Sequence, residues 1–134
     1  MGEQHSLGAA SMRHLEGVEQ ELVDVVTIAL RLCLIDFSVV DGNRTEEEQR
    51  QNILDGVSWT MESKHLVGRA VDIYPYVNGR TSHNPYHYKL IARAMFEAAA
   101  ILGVRIRWGG LWRETRLDLP HWALAELLTT NYSV

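Results

Sequence analysis

Two residues that can bind a metal ion, His65 and Asp72, stand seven positions apart with Gly68 between them. On a straight helix this spacing would separate their Cα atoms by about 10 Å, and on a straight strand by more than about 20 Å. Ligands of one zinc ion each lie about 2 Å from it, so a shared ion requires the chain to reverse between the two residues. Glycine makes a tight reversal at low steric cost. The spacing therefore predicts a turn at Gly68, followed by a strand over residues 69–74.

The ten residues around this turn match a family signature. They read SKHLVGRAVD, from Ser63 to Asp72, and resemble the Ser-x-His-x-x-Gly-x-Ala-x-Asp motif of zinc peptidases that cut bacterial cell-wall peptides. These enzymes include D-Ala-D-Ala carboxypeptidases and dipeptidases, and phage L-alanyl-D-glutamate endopeptidases. All five fixed positions of the motif are filled. The resemblance implies that His65 and Asp72 bind one Zn²⁺ per chain and that Ser63 orients a ligand or contacts the substrate.

Two further segments are similar to motifs of the same family. The stretch VVDGNRTEEEQ resembles its strand–Gly-x-Arg-Thr–helix segment, which implies that Arg44 points into the active site. Asp118-Leu119-Pro120-His121 resembles the closing motif of an acidic residue, two variable residues and histidine. It implies that His121 is the third zinc ligand and Asp118 the general base. The resemblance extends from about residue 39 to residue 122.

The implied chemistry is hydrolysis of a peptide bond by a zinc-activated water. A catalytic zinc keeps three protein ligands and one open position, and lowers the pKa of water there from 15.7 towards about 7. Asp118 would accept the proton of the water and pass it to the leaving amine, while Arg44 and the metal stabilise charge on the carbonyl oxygen. His83 and His87, close to the motif in sequence, are candidate substrate contacts or a spare ligand. Trp108 and two other tryptophans either wall the cleft or pack in the core; the three are Trp108, Trp112 and Trp122.

The leading interpretation is a phage-type endolysin that cleaves the L-Ala-D-Glu bond of peptidoglycan stem peptides. Aspartate at position 118, the short chain and the lack of a signal peptide favour this branch. In the segment that resembles the family's Trp-Gly-Gly-x-Trp turn, relatives often carry Asp where Leu111 stands, so no polar role is expected of that position. The first alternative is a D-Ala-D-Ala carboxypeptidase or dipeptidase with the same metal chemistry. A more remote one is a non-catalytic zinc-containing binding module, as in the Hedgehog signalling domain, which shares the fold group. Binding alone needs neither Asp118 nor Arg44.

Composition limits the other possibilities. A chain of 134 residues with 46% apolar and 22% charged residues predicts one domain over residues 11–134 behind a flexible leader, 1–10. The formal net charge of −4 argues against a nucleic-acid partner. The sequence has neither a membrane-spanning apolar run nor the charge order of a signal peptide. We therefore expect a monomer made in the host cytoplasm, which reaches the cell wall after release, for example through a holin lesion. The single cysteine, Cys33, is expected in the core.

Periodicity and turn residues predict an α+β fold, in which a small antiparallel sheet carries the zinc site and packs against two to three helices, as in the Hedgehog and D-Ala-D-Ala peptidase group. Ser11 is the predicted N-cap of a helix that extends to Leu34. The other predicted elements are strands over 36–41 and 104–108, helices over 46–54 and 86–102, and loops over 55–64 and 75–85. For residues 118–128 the pattern leaves strand and helix open.

Overall fold

The computed structural model describes residues 7–42, 68–112 and 117–125. These parts of the chain contain three α-helices, five β-strands and one 3₁₀ turn. In chain order they are α1 (Ala9–His14), α2 (Gln20–Leu32), β1 (Asp36–Asp41), β2 (Ala70–Val77), β3 (Arg80–Thr81), α3 (Pro85–Leu102), β4 (Ile106–Trp108), the 3₁₀ turn (Gly109–Leu111) and β5 (His121–Leu124). The predicted α+β class, with a small antiparallel sheet and two to three helices, is confirmed.

The strands form one antiparallel sheet in the order β1-β2-β5-β4, and β3 pairs with the end of β2. β2 is the central strand, because β1 pairs along one of its edges while β5 and β3 share the other. A two-residue turn, Asn78-Gly79, joins β2 to β3, and both residues have positive φ, 54° and 79°. These angles are typical of a type I′ hairpin turn, and Asn-Gly is the residue pair that such turns favour.

One face of the sheet is the core face. Along β2 the burial alternates, with Val71, Ile73 and Pro75 buried and Asp72 and Tyr74 partly exposed. The buried side chains pack with α2 and α3 in one hydrophobic cluster, whose fully buried members include Leu22, Val25, Val26, Ile73, Met95 and Trp122. No helix in the described ranges is both long and apolar enough to cross a bilayer. The opposite face of β2 carries Asp72 and Tyr74, which are partly exposed.

The predicted long helix from Ser11 to Leu34 is wrong, because the structure has two helices separated at Gly17. That glycine has φ of 79°, a left-handed conformation that ends a helix. Ser11 is not an N-cap either: it lies buried within α1, and its hydroxyl accepts a hydrogen bond from the Val39 N–H at 3.0 Å. Apolar residues that recur at steps of three and four are nevertheless buried on both sides of the break, at Leu15, Val18, Leu22, Val25, Val26, Ala29, Leu30 and Cys33.

The loop predicted over 75–85 is partly wrong. β2 continues through Pro75 to Val77 and a hairpin follows, since the carbonyl of Pro75 still accepts a hydrogen bond from the Ser82 N–H at 2.8 Å. The helix predicted over 86–102 is confirmed with a start at Pro85, and Gly103 ends it in the left-handed conformation. Ile101, in the last turn of α3, is 63% exposed. Residues 121–124 form a strand, whereas the helix over 46–54 and the loop over 55–64 lie outside the described residues.

Candidate metal centre

Asp72 and His121 face each other on neighbouring strands. β2 and β5 pair in a register that puts the two residues opposite one another, and the distance from Asp72 Oδ1 to His121 Nδ1 is 3.4 Å. Two ligands at about 2 Å from one ion in tetrahedral geometry are separated by about 3.3 Å. Their side chains are 20% and 14% exposed, so the pair is sheltered but reachable from solvent. The strand pairing alone therefore places two donor atoms at the separation that one ion requires.

Asp118 completes a group of three potential donors. One ligand atom from each of Asp72, Asp118 and His121 lies within 4.8 Å of the other two. The tight turn that precedes β5 brings Asp118 to this position, because the His121 N–H donates to the Asp118 carbonyl at 3.1 Å. Two carboxylates and an imidazole are a donor set that suits a divalent metal ion such as zinc. The described residues therefore contain a candidate metal centre.

The carbonyl oxygen of Gly109 positions the loop that carries Asp118. It accepts hydrogen bonds from the Asp118 N–H at 3.1 Å and from the Trp112 N–H at 3.2 Å. The two backbones approach so closely that a Cβ at Gly109 would collide with the Asp118 carbonyl oxygen. Only glycine fits such an approach without a shift of the neighbouring chain. This positioning role was missed from the sequence, although the pair Gly109-Gly110 is the signal that could have suggested it.

The predicted turn at Gly68 is present, and other segments hold it in place. Gly68 has φ of 70°, and its carbonyl accepts a hydrogen bond from the Glu19 N–H at 2.8 Å. The guanidinium of Arg69 donates to the Glu19 carboxylate at 3.1 Å and to the Ala125 carbonyl at 3.2 Å. Arg69 therefore links the chain before α2 to the end of β5. β2 begins and β5 ends beside these contacts of Arg69, so the contacts lie at one end of both strands that form the centre.

Aromatic side chains lie beside the centre. Tyr88 on α3 is 5% exposed, and its ring meets Tyr74 edge-on with centroids 6.2 Å apart. Burial raises the pKa of Tyr88 to about 12, and the charges of Tyr74 and Asp118 add to the effect. His83 also meets Tyr74 edge-on, at 6.4 Å. His83 and His87 are not members of the group of donors found among the described residues, and the ring of His87 is hydrogen-bonded to the Ser82 hydroxyl at 2.6 Å.

The tryptophans divide between core and surface. Trp108 and Trp122 are buried, with stacked rings 5.5 Å apart and 12° from parallel. The Trp108 indole N–H donates to the Leu119 carbonyl at 2.7 Å, so Trp108 supports the loop next to Asp118 from the core. Trp112 is different: it is 42% exposed, and its ring lies 5.1 Å from that of His121.

The structure thus brings together three of the residues singled out in the sequence, Asp72, Asp118 and His121. Their convergence does not follow from sequence spacing, because it depends on the pairing of β2 with β5. The other three residues of the motifs, Ser63, His65 and Arg44, lie outside the described residues.

A family model for phage L-alanyl-D-glutamate peptidases matches residues 4–119. The chain belongs to this family. It is 36% identical over 109 residues to the L-alanyl-D-glutamate peptidase of Escherichia phage T5, a match that covers 78% of this chain and 80% of the relative. It is 33% identical over 87 residues to the L-alanyl-D-glutamate peptidase of Listeria phage A118, covering 65% of this chain and 30% of that longer protein.

The fold of this family member also matches a solved peptidase. The crystal structure of the Serratia marcescens L-Ala D-Glu endopeptidase ChiX superposes with a TM-score of 0.84 and 38% sequence identity, over 92% of each chain. The sheet and the helices therefore have the fold of an L-Ala D-Glu endopeptidase. Within it, Asp72, Asp118 and His121 together are suited to hold a metal ion.

Proposed function

We propose that this chain is a zinc-dependent endopeptidase that hydrolyses the L-Ala-D-Glu bond of peptidoglycan stem peptides. The observation that carries the proposal is the 3.4 Å separation of Asp72 Oδ1 and His121 Nδ1 across two paired strands, with Asp118 in the same group of donors. Membership of the phage L-alanyl-D-glutamate peptidase family supports the choice of bond.

We assign the zinc ligands as His65, Asp72 and His121. Two histidines and one carboxylate are a ligand set of catalytic zinc sites, which leave a fourth position open. When bound, the ion lowers the pKa of a coordinated water and polarises the substrate carbonyl. His65 is assigned from its place in the motif, seven residues before Asp72 and beyond the turn at Gly68. One Zn²⁺ per chain is expected.

Asp118 is assigned as the general base. Its carboxylate accepts a proton from the attacking water and then donates that proton to the amino group of the departing D-Glu, so that the carboxylate is regenerated. The Gly109 carbonyl keeps Asp118 in place by accepting its backbone N–H. Arg44, three positions after the last residue of β1, is assigned to stabilise the negative charge on the carbonyl oxygen. Ser63 is assigned to orienting a ligand or the substrate.

The decisive experiment is digestion of purified muropeptides, followed by mass spectrometry of the products. We expect a disaccharide that ends in L-Ala and a peptide that begins with D-Glu. A zinc chelator should stop the reaction, and added Zn²⁺ should restore it. Free D-Ala as the product would instead identify a carboxypeptidase or dipeptidase. Binding of muropeptides without any cleavage would point to a binding module.

Access to the substrate is part of the proposal. We propose that the chain acts as a monomer on the cell wall after release from the host cytoplasm, as through a holin lesion. Cells that express the chain alone should then remain intact, while the same cells should lyse when the inner membrane is permeabilised. Lysis without permeabilisation would contradict this route, and light scattering of the purified chain would test the monomer.

A further inference from the structure

Leu111 and Trp112 are consecutive exposed apolar residues, and the ring of Trp112 lies next to the candidate metal centre. The indole of Trp112 is 42% exposed and Leu111 is 71% exposed. Of the three tryptophans in the described ranges, the other two are buried at 8% and 1% exposure. Large apolar side chains that stay exposed beside a reactive site often mark a ligand-binding surface. We call Leu111 and Trp112 the indole platform.

The indole platform is fixed relative to the groups that do the chemistry. The ring of Trp112 lies 5.1 Å from the ring of His121 at an angle of 46°. Its backbone N–H and that of Asp118 donate to the same carbonyl oxygen, that of Gly109. A substrate whose scissile bond lies between Asp118 and His121 therefore reaches the indole platform within one or two chemical groups of that bond.

The chemistry of the substrate indicates which side of the scissile bond contacts the indole platform. On the carboxyl side of an L-Ala-D-Glu bond lies D-Glu, whose carboxyl groups would be recognised by cations or hydrogen-bond donors. On the amino side lie the L-Ala methyl group, the lactyl methyl group and the C–H face of the muramic acid ring, which are apolar. A tryptophan face and a leucine side chain provide apolar contact area and no positive charge.

We infer that the indole platform is the subsite for the muramoyl group on the amino side of L-Ala, an inference that rests on the proposed L-Ala-D-Glu cleavage. The enzyme then prefers stem peptides still attached to the glycan over the same peptides without the sugar. Trp112 is a specificity residue in this account and takes no part in proton transfer.

A merely structural role of Trp112, in which its ring only supports His121, makes a different prediction. Support of a ligand would affect every substrate equally, whereas a muramoyl subsite affects only substrates that carry the sugar. The test therefore compares two substrates that have the same peptide sequence and differ only in the group attached to L-Ala. One carries N-acetylmuramic acid on L-Ala, and the other carries an acetyl group in its place.

For Trp112→Ala we expect kcat/KM to fall by roughly tenfold on the muramoyl peptide, on the order of one well-packed aromatic contact. On the acetyl peptide the loss should be less than about twofold, a change too small to reflect a lost aromatic contact. Trp112→Phe should retain most of the preference, and bound zinc should be unchanged in both variants. Tyr86→Ala, at an exposed aromatic residue on α3, is the matched control and should leave both rates unchanged.

Equal losses on the two substrates, or loss of bound zinc in Trp112→Ala, would overturn the subsite and leave the proposed function in place. A wild-type enzyme that cleaves neither substrate would overturn the proposed function and the subsite with it.

Discussion

The backbone of Gly109 touches that of Asp118 so closely that their relative position is fixed. The Asp118 N–H donates to the Gly109 carbonyl at 3.1 Å, and the missing side chain of Gly109 leaves the space that the Asp118 carbonyl fills. The assigned general base is thus held by the backbone of another loop rather than by its own side-chain partners alone.

Gly109→Ala should therefore lower activity with little effect on bound metal. The new methyl group pushes Asp118 away from the centre, and a displacement of about 1 Å can cost on the order of 100-fold in rate. We expect kcat/KM to fall by at least about tenfold by the same reasoning. Gly8→Ala is the control, because no atom lies within 4 Å of a Cβ at Gly8. Wild-type kinetics in Gly109→Ala would show that the close approach does not matter for catalysis.

His121→Ala should remove both bound zinc and activity. Loss of a mere hydrogen-bond partner of a ligand costs about 10- to 100-fold in metal affinity, so loss of a ligand should cost more than about 100-fold. His65→Ala should behave in the same way. Metal content by mass spectrometry after dialysis measures the effect, and His83→Ala, at an exposed residue outside the donor group, should keep its metal. Full zinc in His121→Ala would reject the proposed ligand set.

Asp118→Asn should distinguish a general base from a zinc ligand at this position. The amide cannot accept the proton of the water, so kcat should fall by about 10²- to 10⁴-fold, the usual contribution of general base catalysis. Zinc should remain close to one per chain, since Asp118 is assigned as a base. If zinc is lost instead, Asp118 is a ligand, and the roles of Asp72 and Asp118 must be revised. Arg44→Ala, by contrast, should lower kcat while zinc is retained.

The stability of the fold should fall at alkaline pH because of Tyr88. A tyrosine in an unfolded chain ionises near pH 10, while the pKa of Tyr88 in the folded protein is raised to about 12. The stabilisation from this group is therefore complete below about pH 10 and is lost as the pH rises towards about 12. Tyr88→Phe removes this titration, so its free energy of unfolding should fall less steeply over that range.

Urea denaturation at several pH values would measure the difference. Tyr86→Phe, at a side chain on the same helix that is 61% exposed, is the control for loss of a phenol as such. Identical pH profiles for wild type and Tyr88→Phe would contradict the prediction.

Local patterns in the sequence predicted much of the fold. The helix α3 follows from its apolar spacing and from Gly103, which ends it, and the β2–β3 turn follows from Asn78-Gly79. The break between α1 and α2 was missed because Leu15 and Val18, in the connection, continue the buried stripe of the helix. Hydrophobic periodicity indicates which residues are buried. It does not show where a helix ends, because residues beyond the helix end can be buried as well.

The length of β2 was predicted too short because of a proline. Proline lacks a backbone N–H and is rare within central strands, so Pro75 suggested the end of the strand. In the structure its carbonyl accepts a hydrogen bond from Ser82, and its partner across the β1 edge is Phe37. Phe37 is 38 positions away in the sequence and Ser82 follows β3, so no local pattern reveals either partner.

The candidate centre was predicted by family resemblance rather than by residue spacing. Asp72 and His121 are 49 positions apart, and only the β2–β5 pairing joins them. The sequence left Trp112 open between the wall of the cleft and the core. Its ring contact with His121 and the Gly109 carbonyl that it shares with Asp118 could not be predicted, because both depend on how the loop folds back.

The pairing of β2 with β5 also has a consequence for misfolding. Asp72 lies opposite His121, and one step along the strands Val71 lies opposite Trp122 in the core. A slip of a single residue would turn His121 inward and expose Trp122. The burial of Trp122 thus favours the one strand register in which Asp72 and His121 face each other. A molecule with the wrong register would lose both the metal centre and part of its hydrophobic core.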